Sequence, residues 1–296
     1  MGTIAHILSS FKGRGYEQIV TRRLLQRLSN RFPKALAGKV TSRKTAESYV
    51  SNCAQLGIVK RIGGYLHLTA EGEVLLCLID FSNVPPPFEL SPLEKAFFLN
   101  QILKLDKPCF HALLQHLQNL NEASLAQINR TIEYPTYRKL KIGARIHRIG
   151  ARIEWAVDLG LVRKKGTSYN LSESGERFLS SIDYNPWNMI AKTLLDKIPE
   201  ELPSYEWFLR NLTKSYSLLA DHNPFDFYVK LASLRLHMRL LAVPDWNLQE
   251  ETFGELFGQV WKKNRSKVQL LSSMKKEQLT EVLSIEGRQY KYIYIQ

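Results

Sequence analysis

Cysteine is scarce in this sequence and long apolar runs are missing, and each shortage removes a class of protein. Only Cys53, Cys77 and Cys109 occur in 296 residues, too few to frame a disulfide-bonded secreted domain. All three sit in apolar helical contexts and read as core filler in a reducing compartment, cytoplasmic (nucleoid-associated) or nuclear. The longest apolar runs, such as 74–79, fall far short of the ~20 residues a membrane helix needs, so no membrane partner is expected. No charged start followed by an apolar segment and cleavage site marks an export signal. Met1-Gly2 lacks the Ser or Thr that myristoylation requires, because His6 stands there.

Catalytic signatures are missing as well. There is no G-x-x-x-x-G-K-[ST] phosphate loop, no G-x-S-x-G elbow and no acidic-x-Lys tripeptide of the kind that completes a common nuclease metal site. His111 and His116 lie five apart, a poor match to the i, i+4 spacing of a helical zinc pair, and nothing completes a ligand set. Neither a metal nor a cofactor is expected, and the protein is not expected to be an enzyme.

What is present is enough apolar residue to build cores, 44% with 10% aromatics, together with a formal charge of +13. The charge is clustered. Residues 12–61 hold twelve Lys/Arg and two acids, and residues 130–165 hold ten Lys/Arg and three acids. Outside these segments the chain is slightly acidic. Clustering of this kind attracts a polyanion, whereas scattered lysines merely solubilise.

Both basic segments belong to an internal repeat. "LGIVKRIGGYLHLTAEGEVLL" from Leu56 and "LGLVRKKGTSYNLSESGERFL" from Leu159 align without a gap at an offset of 103. In each, a helix stops at a glycine, a short strand ends in cations, a glycine-bearing turn follows, and a second strand runs into Thr69 or Ser172. Those residues can cap a further helix whose first turn is acidic. Helix, strand, basic turn, strand, helix resembles the back half of a winged helix-turn-helix domain. In that family the helix before the leucine-glycine pair enters the major groove and the hairpin contacts backbone or minor groove.

The resemblance implies DNA-contacting residues. In the first copy they are Ser42, Arg43, Lys44, Thr45, Ser48 and Asn52 on a helix that Thr41 or Ser42 caps, with Lys60 and Arg61 on the hairpin. Ala46, Val50 and Cys53 turn inward. In the second copy, Arg145, Arg148 and Arg152 fall at i, i+3, i+7 on the helix before Leu159, beside a buried stripe of Ile146, Ile149, Ile153 and Ala156 or Val157. Arg163, Lys164 and Lys165 occupy its hairpin. The three arginines are expected to face solvent, so that removing them would barely change stability.

Between the copies, 83–88 with Pro85-Pro86-Pro87 reads as a stiff connector, and Ser91-Pro92-Leu93-Glu94 has capping-box spacing. After Pro186 the chain turns to aromatic-rich helices and closes on an alternating strand from Gln289 to Ile295. The expected architecture is mainly α with small β-hairpin wings. Two winged helix-turn-helix domains, 1–84 and 120–184, flank a proline-rich connector and helical linker, 85–119. A helical C-terminal domain, 185–296, follows and resembles a degraded third unit.

The function this implies is duplex DNA binding by a regulator, a replication initiator or the DNA-contacting subunit of a larger complex. Double-stranded DNA is the expected partner, with a protein partner or self-association through 185–296. The alternative is a tandem winged-helix scaffold that binds a partner chain, as in chromosome-organising complexes.

Overall fold

A computed structural model describes residues 7–8, 10, 14–31, 43–79, 90–181, 185–221, 228–272, 282–285 and 288–296. Among them the protein is mainly helical with small antiparallel sheets. It divides into two compact units, one made of 1–81, 201–242 and 246–296, the other of 82–200 and 243–245.

In the first unit, β1 (Arg14–Tyr16) leads into α1 (Glu17–Arg31). Helix α2 (Arg43–Gln55), the hairpin β2 (Val59–Ile62) and β3 (Tyr65–Leu68), and α3 (Ala70–Leu78) follow. The strands form an antiparallel sheet in the order β1-β3-β2. Val20, Leu24, Ala46, Val50, Cys53, Leu66 and Leu75 pack beneath it, in keeping with the inward residues read from α2. Burial pushes the Cys53 thiol up to about 11, which leaves it an inert core group.

The second unit repeats this construction. Helices α4 (Pro92–Leu105) and α5 (Lys107–Leu120) precede β4 (Ala123–Ser124), α6 (Leu125–Thr131), α7 (Pro135–Arg138) and α8 (Ile142–Asp158). The hairpin β5 (Val162–Lys165) and β6 (Ser168–Leu171) follows, then α9 (Glu173–Ser180) and α10 (Pro186–Leu195). Its sheet runs β4-β6-β5. Helix α4 carries the capping box, Glu94 N–H donating to Ser91 Oγ and Ser91 N–H to the Glu94 carboxylate.

The repeated motif keeps two hydrogen bonds in both copies. Thr69 Oγ1 donates to Gly57 O at 2.6 Å and accepts from Gly72 N–H at 3.1 Å; Ser172 Oγ does the same with Gly160 O and Gly175 N–H at the same distances. One hydroxyl thereby ties the end of the preceding helix to the start of the next. Gly57 and Gly160 both adopt positive φ, 68° and 77°, where a side chain would be strained. A Cβ on Gly72 or Gly175 would lie 2.4 or 2.2 Å from the carbonyl oxygen of Ile58 or Leu161, so only glycine lets the last helix approach the hairpin.

The C-terminal elements group with the first repeat. They are α11 (Tyr205–Asp221), β7 (Val229–Lys230), α12 (Leu231–Ala242), α13 (Glu250–Lys263) and the strands β8 (Val268–Leu271), β9 (Leu283–Ile285), β10 (Arg288–Tyr290) and β11 (Tyr292–Ile295). Glu73 on α3 accepts from Lys230 Nζ at 2.5 Å and Ser233 Oγ at 2.8 Å. The Cys77 thiol, pushed up to about 12 mainly by burial, points at Leu218 O, 3.6 Å away. Phe208, Phe253 and Phe257 are fully buried and form a continuous aromatic run, with ring centroids 5.4 and 5.8 Å apart.

Candidate functional site

A groove of about 780 Å³ lies in the first unit between α1, α2 and the hairpin turn. Helix α1 lines it with Glu17, Gln18, Thr21 and Arg22, α2 with Glu47 and Ser51, and the hairpin with Arg61 and Gly64. Glu17 opens α1, where a carboxylate complements the helix dipole, and its backbone N–H donates to Gly64 O at 3.1 Å. Arg61 Nε lies 3.1 Å from both Glu17 oxygens, Nη2 lies 2.9 Å from Oε1, and Nη2 also reaches Ser51 Oγ at 3.3 Å. Two acids and two arginines thus share the groove. A phosphate backbone is best met by a row of cations without interleaved carboxylates; mixed charge suits a polar peptide surface.

The basic residues expected on sequence grounds are dispersed. Ser42 lies outside the described residues. Arg43, Lys44 and Thr45 form the first turn of α2, and Ser48 and Asn52 are half-buried further along it. Lys60, Arg163 and Lys165 are exposed on the hairpins, whereas Lys164 donates to Glu154 at 3.3 Å and lies over the Tyr169 ring.

The arginine line of α8 is not a solvated stripe. Arg152 is buried, 3% exposed, and its Nε and Nη2 each donate to an Asp106 carboxylate oxygen at 2.6 Å. A third bond, from Nη1, goes to Arg148 O at 3.2 Å. Burial disfavours the Arg152 charge, but Asp106 and the neighbouring Tyr137 more than offset this, and its pKa stands above the ordinary value. Arg145 Nε donates to Asn129 Oδ1 at 3.0 Å, and only Arg148 of the three has an exposed side chain. The neighbouring apolar stripe is corrected in the same way: Ile149, Ile153 and Ala156 are buried, but Ile146 is 41% exposed. The face of α8 turned to its unit is rotated to admit Arg152, because Asp106 at the α4–α5 junction supplies its counter-charge.

Among the described residues no group of three His, Cys, Asp or Glu gathers where a metal could sit, and no helix is long and apolar enough to cross a membrane. His116 Nε2 lies 2.8 Å from Thr131 Oγ1, and the His111 ring packs 6.4 Å from Phe178. The residues missed from the sequence are the acids, Glu17, Asp106 and Glu154. Asp106 alone carried a local signal, an acid at the junction of two helical segments.

No protein-family model matches the chain, and no solved structure matches it. It is similar to the G1/S-specific cyclin-D1 of Mus musculus and to that of Rattus norvegicus, 28% identical over 109 residues in each case. The matched stretch is 37% of this chain and 36% of each relative, so the similarity spans about a third of the length of the curated relatives. This finding overturns the recognition of the chain as a tandem winged helix-turn-helix DNA-binding protein, and with it duplex DNA binding as the function and double-stranded DNA as the partner. The ion pairs supply a physical reason. The expected arginine stripe loses Arg152 to the buried Asp106 carboxylate, and Arg61 and Lys164 make exposed pairs with Glu17 and Glu154.

Proposed function

We propose that the chain is a non-catalytic scaffold that binds a partner protein, with its helix–hairpin–helix repeats, in the winged-helix arrangement, serving as docking modules. The observation that carries this reading is the buried Arg152–Asp106 pair, which takes the last arginine of the basic helix face out of any surface stripe. Similarity to a cyclin over part of the chain supports a protein partner in preference to nucleic acid. The exposed cations Lys60, Arg148, Arg163 and Lys165 would form part of the rim of the partner surface, where charge sets orientation and association rate more than affinity. Residues 185–296 would add to partner binding or self-association, offering the Trp207–Trp246 and Trp261–Tyr290 ring pairs.

The test is reconstitution. The full chain, cross-linked in its source cells after nuclease treatment, should recover a protein that rebinds the purified chain with defined stoichiometry. A 30-base-pair duplex at physiological salt should give no shift at about 0.1 micromolar protein, below the roughly 10⁻⁴–10⁻⁶ M range of non-specific DNA binding constants. A duplex shift that weakens steeply with salt, with every captured protein lost on nuclease treatment, would refute the reading.

A further inference from the structure

The outward face of the first sheet carries two cross-strand rows. Directly opposed residues project from the same face, and the face alternates along each strand. Tyr16 pairs with Tyr65 and Tyr65 with Ile62, forming one row across β1, β3 and β2; Arg14, His67 and Lys60 form the next in the same order. Leu66, which falls between the rows, points the other way and is fully buried. Tyr16 and Ile62 are 53% and 50% exposed, more than an ordinary solvent-facing strand requires of such large apolar groups. The Tyr16 and Tyr65 rings lie 4.0 Å apart, and the Arg14 guanidinium sits 4.0 Å over the Tyr65 ring. Burial, and after it Arg14 and Lys60, hold the His67 pKa below its ordinary value, which favours the neutral ring.

The second repeat provides an internal control. Its sheet has the same register, Ser124 opposite Ser168 and Ser168 opposite Lys165. Thus Tyr16, Tyr65 and Ile62 are replaced by Ser, Ser and Lys on the same backbone frame. Folding of the unit does not demand an apolar row here, and its presence in one copy alone is a property of the surface.

From this we infer that the Tyr16–Tyr65–Ile62 row and the adjoining Arg14–Lys60 cations form the docking surface for an acidic segment of a partner protein carrying an aromatic or aliphatic anchor. The inference rests on the protein-binding reading and specifies its surface and the chemistry of its partner. Two tyrosines and an arginine are the side chains that most often dominate interfaces, because they supply large rigid area with a polar handle. The cation row selects carboxylates and, being solvent-exposed, makes the contact sensitive to salt.

A random dodecapeptide display library panned on the full chain tests it, with enriched peptides resynthesised and measured against wild type and the Y16S/I62K/Y65S variant. That variant transplants the second repeat's residues and should retain the wild-type circular dichroism and melt. Enriched peptides should combine Asp or Glu with an aromatic or aliphatic residue, lose at least about tenfold in affinity for the variant, and weaken with salt. Should the variant not fold, R14E/K60E keeps the apolar row and should shift the preference toward basic peptides.

Enriched peptides that bind both variants as well as wild type would place the docking surface elsewhere and leave the scaffold reading standing. Enrichment of no acidic-apolar class, or loss of self-association as the only effect of the triple substitution, would overturn the surface. Duplex DNA binding that the triple substitution abolishes, with no peptide enriched, would overturn both.

Discussion

Removing one partner of the Arg152–Asp106 pair should cost far more than removing Arg148, the exposed arginine of α8. Both side chains are nearly closed to solvent, 4% and 7% exposed, and two charge-assisted bonds of 2.6 Å join them. Arg152→Leu strands a carboxylate in the α4–α5 junction, and Asp106→Asn strands a guanidinium against Tyr137 and Trp155. Breaking a buried pair in this way costs about 3–5 kcal/mol, roughly 10²–10⁴ in the unfolding equilibrium. The double variant R152L/D106L removes both charges and should recover most of the loss, since an apolar replacement of a buried pair is often close to neutral. Arg148→Ala, at an exposed position, should stay within about 0.5 kcal/mol. Urea unfolding of the full chain followed by circular dichroism and tryptophan fluorescence measures this, with the loss confined to the transition of the unit containing 82–200. A cost below about 1 kcal/mol for R152L, or a double variant as unstable as the sum of the singles, would refute the assignment of Arg152 to the interior.

Two further outcomes follow from the packing. His237 is buried with Nδ1 2.9 Å from Ser215 Oγ, and burial, aided by Lys214, lowers its pKa from 6.5 to about 4. The folded state therefore holds it neutral while the unfolded state protonates it near pH 6.5, so its stabilisation is full above that pH and is lost as pH falls toward 4. The loss should approach about 3 kcal/mol, and chemical denaturation of H237Q between pH 7 and 4 should give a flatter stability curve; equal slopes would sink the argument. Gly72→Ala and Gly175→Ala each drive a Cβ against a carbonyl oxygen and should cost roughly 1–3 kcal/mol or more. Gly254→Ala on α13, where nothing lies within 4 Å of the added carbon, should be neutral or stabilising by up to about 1 kcal/mol in the same melts.

Elements whose causes are local can be read from residue spacing alone. Thr69, Ser172 and Ser91 cap helices because their hydroxyls reach backbone N–H groups three residues on, and those spacings are visible in one dimension. The 103-residue repeat likewise announced two hairpins whose glycines and caps the structure reproduces. Aromatic periodicity after Pro186 foretold helices, which the structure places at Pro186–Leu195, Tyr205–Asp221, Leu231–Ala242 and Glu250–Lys263.

Where the charges go depends on which distant segments meet. A count of cations along 130–165 cannot show that Arg152 turns to Asp106, 46 residues upstream, because that choice depends on the angle at which α8 meets the α4–α5 junction. Nor could composition show that 201–242 and 246–296 fold with residues 1–81, since the Glu73–Lys230 pair that helps join them spans 157 residues. The same holds for Tyr16, which becomes part of a surface row only when β1 takes its place beside Tyr65. Local hydrogen bonds leave a trace in residue spacing; burial and charge pairing are settled by which distant segment comes to lie alongside.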